Sequence, residues 1–128
     1  MRTFPPRIDV LPVTQQRLWS ELRPAQDLGF VLYGGTAVAL RLGQRQSEDF
    51  DFFTERPLEK DAIKRTLSFA SAAGISVLQD QPNTYTLLTA GDGVKVSFFG
   101  GIRFGRIGEP EKTTDGVLQV ASFDDIMA

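Results

Sequence analysis

The sequence predicts a single α/β (α+β) domain over residues 1–128, and two observations support this class. Short apolar strands alternate with helical segments from Phe30 onward, and 41% hydrophobic with 23% charged residues suits one domain with its own core. No apolar run reaches membrane-spanning length, and the N-terminus lacks a signal-peptide core, so we expect a cytoplasmic protein.

Hydrophobic periodicity and helix-breaking residues predict the individual elements. Near the N-terminus Leu11, Leu18 and Leu22 share one helical face, and Pro24 is expected to end or kink that helix. Gly91-Asp92-Gly93 predicts a hairpin turn. The other expected elements are strand 30–33, helix 36–42 with Gly43 as its terminator, strand 50–54, one helix from Pro57 to Gly74, and strands 75–78, 84–89, 94–99 and 117–121.

The last residues carry the signals of a helix start. Ser122 is a good N-cap, and Asp124 and Asp125 suit a first helical turn, yet the chain stops about one turn later at Ala128. We therefore expect a domain truncated at its C-terminus; the alternative is a frayed tail.

The amino-acid composition excludes several kinds of catalytic and metal site. The chain has no cysteine and no histidine, which excludes disulfides, thiolate or histidine-bound zinc, and Cys or Ser–His nucleophiles. Any metal must be held by oxygen ligands, which favours magnesium, manganese or calcium. A net charge of −2 indicates no general attraction to nucleic acid, although a local basic patch remains open.

Gly34-Gly35-Thr36 lies between a predicted strand and a predicted helix. Free backbone N–H groups at a helix N-terminus attract phosphate, and glycine lets the phosphate approach closely. The Thr36 hydroxyl can add a donor or cap the helix. The alternative is a tight turn with a helix cap and no ligand.

Asp49 and Asp51 alternate along the next strand, so both side chains point to one face. Carboxylates about 7 Å apart along a strand can reach one or two divalent ions. If they splay into water, no metal is needed. The neighbouring phenylalanines indicate a largely buried strand, which argues against full solvation.

Together the two motifs predict a phosphoryl-transfer site, in which positioning and electrostatic stabilisation do the chemistry. Arg41 and Arg45 lie four residues apart on or just past the intervening helix. They can contact phosphates or form a solvated helix face.

The segment GGTAVALRLGQRQSEDFDFF resembles the nucleotidyltransferase superfamily related to DNA polymerase β, and within it the AbiEii/AbiGii toxins of type IV toxin–antitoxin systems. Gly34-Gly35-Thr36 matches the superfamily's turn, and Asp49 and Asp51 match its Asp-x-Asp pair. Residues 119–128 are similar to the segment that leads into the group's next helix.

The resemblance implies a mixed sheet flanked by helices and two Mg²⁺ (or Mn²⁺) ions bound by Asp49 and Asp51. It implies transfer of a nucleoside monophosphate from a nucleoside triphosphate (NTP), whose β and γ phosphates Gly34, Gly35 and Thr36 would hold. In some relatives the acceptor is the tRNA 3′ end, and in other branches of the superfamily it is a protein hydroxyl or an antibiotic, so we expect an RNA or protein acceptor here. The toxin group also implies a cognate antitoxin as partner.

The chain departs from the family pattern at three points. Gln44 precedes Arg45 where many relatives have histidine, Ser97 is expected at the position of a third carboxylate, and a lysine-bearing helical C-terminal part is missing. Two further hypotheses therefore stay open: a catalytically impaired nucleotide- or partner-binding module of the same fold, and a metal-dependent phosphohydrolase.

Overall fold

The computed structural model describes residues 2–43, 48–102 and 108–127. Within these ranges the strands are β1 (Thr3–Phe4), β2 (Val31–Tyr33), β3 (Phe50–Phe53), β4 (Ser76–Gln81), β5 (Thr84–Leu88), β6 (Lys95–Phe99), β7 (Glu111–Thr113) and β8 (Gln119–Val120). The α-helices are α1 (Val13–Leu18), α2 (Gly34–Leu42), α3 (Lys60–Thr66) and α4 (Phe123–Met127), with 3-10 segments at Ile8–Val10, Trp19–Gln26 and Ser68–Ser71.

The strands form one mixed sheet in the order β1-β7-β8-β2-β3-β6-β5-β4. At its centre β3 pairs antiparallel with β2 and parallel with β6. The expected α/β class with a mixed sheet and helices is therefore confirmed.

The core lies on one face of this sheet. Phe50 and Phe52 in β3 are fully buried, and the ring of Phe52 stacks 5.7 Å from that of Phe98 in β6. Leu18, Leu40 and other residues of the helical segments join these rings in one apolar cluster. Because side chains alternate along a strand, Asp51 and Phe53 point to the opposite face, which bears the predicted site.

The ends of the helices agree with the sequence-based expectations only in part. Gly43 ends α2 in the left-handed conformation with φ +71°, and Ser122 caps α4 by accepting a hydrogen bond from the Asp125 N–H at 3.2 Å, as predicted. Helix α1 ends at Leu18 and is followed by a 3-10 segment from Trp19 to Gln26. Pro24 lies inside this 3-10 segment and does not end it. The i→i+3 pattern and the fixed φ of proline are compatible there.

The expected single helix from Pro57 to Gly74 is wrong. Helix α3 ends at Thr66, Leu67 is extended at φ −102° and ψ 110°, and a 3-10 turn follows. Leu67 and Phe69 are both buried in the core, so tertiary packing overrides the helical period. The short strands β1 and β7 were not predicted, and strand 117–121 shrinks to Gln119–Val120.

None of the helices in the described ranges has both the length and the apolar character needed to cross a membrane.

Arg41 has neither of its expected roles. Its side chain is only 8% exposed, donates to the Ala121 carbonyl from Nε and Nη2 at 3.0 and 2.8 Å, and pairs with Glu111 at 2.7 Å. The guanidinium also lies 4.2 Å from the centre of the Phe4 ring. Arg41 therefore ties α2 to β1, β7 and the end of β8, while Arg45 falls outside the described residues.

We expect Arg41→Met to lower the free energy of unfolding by about 2–4 kcal/mol, because it leaves a largely buried carboxylate and carbonyl without their donor. Urea denaturation would measure this loss. Arg17→Met is the matched control: Arg17 pairs with Asp92 at 2.9 Å, but its side chain is 59% exposed, so little should change. Equal effects of the two substitutions would contradict the role given to Arg41.

Candidate active site at the glycine turn and the aspartate pair

The glycine turn and the second aspartate are in direct contact. Strand β2 ends at Tyr33, which pairs with Asp51 of β3, and α2 begins at Gly34. Gly34 has φ +78°, and a Cβ placed on it would lie 2.8 Å from Asp51 Oδ2. Position 34 therefore favours glycine for its backbone conformation, and a larger residue there would also displace the Asp51 carboxylate.

Asp49 and Asp51 lie on the face away from the core, as their alternation with Phe50 predicts. Both are partly exposed, whereas Phe50 is fully buried. Burial and the neighbouring charge of Asp49 raise the pKa of Asp51, and Lys95 partly offsets this. The two carboxylates thus interact unfavourably when both are ionised, and a bound cation would relieve the repulsion.

Ser97 is the residue expected from the sequence at the position of a third carboxylate. It lies directly opposite Asp51 in the parallel pair of β3 and β6, and it is 2% exposed. Thr86 of β5 donates a hydrogen bond to Ser97 Oγ at 3.1 Å. Across the described ranges there is no group of three acidic, histidine or cysteine side chains suited to a metal.

Two carboxylates nevertheless fit one Mg²⁺ or Mn²⁺. Magnesium is commonly held by one or two protein carboxylates, with substrate phosphates and water completing its shell. The Asp51 carboxylate also lies beside the glycine turn, and the first N–H groups of a helix lack partners within the helix, which is a feature that attracts phosphate.

Thr36 is placed differently from the expectation. Its side chain is fully buried, and its hydroxyl donates to the Asp49 carbonyl and accepts from Gln15 Nε2 at 3.2 Å. The one hydroxyl proton is therefore committed inside the fold, so it is not offered to a phosphate. The helix cap is Tyr33, without a side-chain cap bond. Only the backbone of Thr36 remains with Gly34 and Gly35 as a candidate phosphate contact.

Gln15 was missed from the sequence. It is fully buried in α1 between the apolar positions Leu11 and Leu18, where an amide is unexpected. A polar residue on an apolar helical face was the available signal. Its Oε1 has no hydrogen-bond partner, and an unsatisfied buried carbonyl costs about 1–3 kcal/mol.

A family model described as "Nucleotidyl transferase AbiEii toxin, Type IV TA system" matches residues 17–127. The chain belongs to the AbiEii family. The resemblance expected from the glycine turn and the aspartate pair is thereby confirmed.

One sequence relative and one solved structure are informative about the length and the fold of the AbiEii chain. An uncharacterized protein of Aquifex aeolicus (strain VF5) is 38% identical over 99 residues, which are 76% of this chain and 46% of that protein. The crystal structure of a candidate nucleotidyltransferase from H. pylori matches with a TM-score of 0.62 and 18% identity, over 90% of this chain and 55% of that one. The chain spans about half the length of both, and the second likeness concerns the fold alone.

Gly34→Ala should both strain the backbone and push against Asp51. Gly91 provides a matched control, because its φ is +77° and a Cβ there meets nothing within 4 Å. We expect Gly91→Ala to cost about 1–2 kcal/mol for the left-handed conformation. Gly34→Ala should cost about 0.5–1.5 kcal/mol more, because the Asp51 carboxylate must leave its rotamer to make room for the methyl group. Chemical denaturation of both variants measures the difference, and equal losses would rule out the contact with Asp51.

In metal-free protein the raised pKa of Asp51 means that the folded state holds this proton more tightly than the unfolded state. Stability should therefore fall as pH rises from the ordinary value of 3.8 through the raised folded pKa. We expect Asp51→Asn to raise the midpoint of thermal unfolding at pH 7 in EDTA and to have no such effect near pH 3.

Asp92→Asn supplies the opposite sign for comparison, because Arg17 lowers the pKa of Asp92. Its substitution should lower the unfolding midpoint at pH 7 only slightly, because the pair with Arg17 is exposed. If Asp51→Asn also lowered the midpoint, the burial and repulsion assigned to Asp51 would be incorrect.

Proposed function

We propose that the full-length protein is a metal-dependent nucleotidyltransferase that transfers a nucleoside monophosphate from an NTP to an RNA or protein hydroxyl. It would act in the cytoplasm as the toxin of a toxin–antitoxin pair, with a cognate antitoxin as its partner. The observation that carries the proposal is the contact of the Gly34 turn with the Asp51 carboxylate, beside Asp49. Membership of the AbiEii family supports the toxin assignment.

In this proposal Asp49 and Asp51 would hold Mg²⁺ or Mn²⁺, which supplies charge neutralisation at the triphosphate and activation of the acceptor hydroxyl. The backbone N–H groups at Gly34 and Gly35 would orient the β and γ phosphates at the start of α2. Because Gly34 has no side chain, the turn proposed to bind phosphate lies beside the Asp51 carboxylate proposed to bind the metal.

Ser97 favours a second candidate, a nucleotide- or partner-binding module of the same fold with little catalysis. The hydroxyl that faces Asp51 already accepts a hydrogen bond from Thr86, and serine is a weak ligand for magnesium and a weak base. This module would bind NTP and metal but release no pyrophosphate. A phosphohydrolase using the same aspartates would release phosphate instead.

In the decisive experiment, the full-length gene product is incubated with Mg²⁺ and each of the four NTPs labelled at the α phosphate. Total RNA is added as the RNA acceptor, and the protein alone serves as the protein acceptor. We expect label transfer with release of pyrophosphate, and loss of at least about 100-fold in Asp49→Asn, because a metal ligand is removed. Asp61→Asn is the control, since Asp61 is an exposed carboxylate on α3.

Calorimetry with NTP and Mg²⁺ separates the alternatives in the same samples. Binding without turnover would select the binding module, and phosphate as the product would select the hydrolase. Transfer that survives in Asp49→Asn would overturn the proposed site.

A further inference from the structure

A buried chain of two hydrogen bonds connects α1 to the residue that precedes β3. Gln15 Nε2 donates to Thr36 Oγ1, and Thr36 donates to the carbonyl of Asp49. Both side chains are fully buried, so water does not compete for these bonds. We call these three groups the Gln15 relay.

The relay has a fixed direction. Thr36 has one hydroxyl proton, which goes to the Asp49 carbonyl, so only its lone pairs are left for Gln15. An amide NH₂ can donate there, whereas an ionised carboxylate at the same position would compete for the proton. Hydrogen bonds in series also polarise one another, which strengthens the contact on Asp49.

The relay contacts the chain just before β3, where the pairing of this strand with its neighbours begins. The register of β3 with β6 begins at Phe50, and with β2 it reaches Asp51, so Asp49 lies just outside the paired residues. The Asp49 carbonyl is instead held by Thr36, on the same helix that begins at Gly34. The backbone of Asp49, from which its side chain extends, is therefore tied to α2 and, through Thr36, to Gln15.

Stability alone does not explain an amide at position 15. Its Oε1 is buried without a partner, so an apolar side chain of similar shape would remove an unsatisfied group from the core. We propose that Gln15 is a positioning residue, which fixes the Asp49 carboxylate toward Asp51 through Thr36. This inference rests on the proposed function, because it assigns the benefit of the relay to the metal site.

The test compares three substitutions in the full-length protein. Gln15→Met removes the donor and keeps the length of the side chain, and Thr36→Val removes the hydroxyl. Gln16→Met is the matched control on the same helix, because the Gln16 amide donates to the Leu11 carbonyl at 2.8 Å instead.

Mn²⁺ alone is the probe, titrated by electron paramagnetic resonance. We expect Gln15→Met to weaken Mn²⁺ binding about fivefold, the usual worth of one hydrogen bond, while its melting temperature stays at or above that of the wild type. The double variant Gln15→Met/Thr36→Val should lose no more than the worse single variant, because the groups act in series. Gln16→Met should bind Mn²⁺ like the wild type.

Hydrogen exchange of the Phe50 amide in metal-free protein gives an independent readout, since this amide shares a peptide unit with the Asp49 carbonyl. Exchange should accelerate in Gln15→Met and not in Gln16→Met. Unchanged Mn²⁺ binding in Gln15→Met, or an equal loss in Gln16→Met, would overturn the positioning role. If the wild type bound no Mn²⁺, the proposed function would fall and the positioning role with it, and exchange would still show whether the relay holds the peptide.

Discussion

The pairing of β3 with both of its neighbours is the constraint on which the rest of the structure depends. Antiparallel pairing with β2 brings Asp51 beside Tyr33 and hence beside the Gly34 turn, and parallel pairing with β6 brings it beside Ser97. The same strand sends Phe50 and Phe52 into the core. A shift of one residue in this register would bury the aspartates and expose the phenylalanines, so core packing fixes the site.

Several features of the candidate site lower the stability of the folded state. Asp51 is partly buried beside Asp49, Gly34 adopts a left-handed conformation, and Gln15 leaves a buried carbonyl unsatisfied. The interaction of the two carboxylates and the unsatisfied carbonyl each carry a cost in free energy, while Gly34 avoids the strain that another residue would meet there. Elsewhere the fold is well connected, as the three hydrogen bonds and the ring contact of Arg41 show. Such concentration of unfavourable groups is typical of a functional site.

Ser97 is the residue that distinguishes the two proposed functions, nucleotide transfer and nucleotide binding with little catalysis. A third carboxylate opposite Asp51 would add charge to a site where Asp49 already raises the pKa of Asp51. The Ser97 hydroxyl adds no charge, and it accepts a hydrogen bond from Thr86 on the neighbouring strand β5. Under the proposed function, a metal held partly by substrate phosphates suits this arrangement better than a closed site made by protein groups alone.

The sequence by itself determined the local chemistry: the glycine turn, the alternation of aspartate with phenylalanine, the left-handed end of α2 at Gly43 and the cap at Ser122. These follow from backbone conformation and side-chain alternation over a few residues. Only the tertiary structure decided that the Thr36 hydroxyl is buried, that Arg41 is buried and that Gln15 donates a hydrogen bond to Thr36. Their partners lie far along the chain, 21 residues away for Gln15 and Thr36, 70 for Arg41 and Glu111, and 80 for Arg41 and Ala121. Local patterns cannot predict such contacts, because packing of the whole sheet brings the partners together.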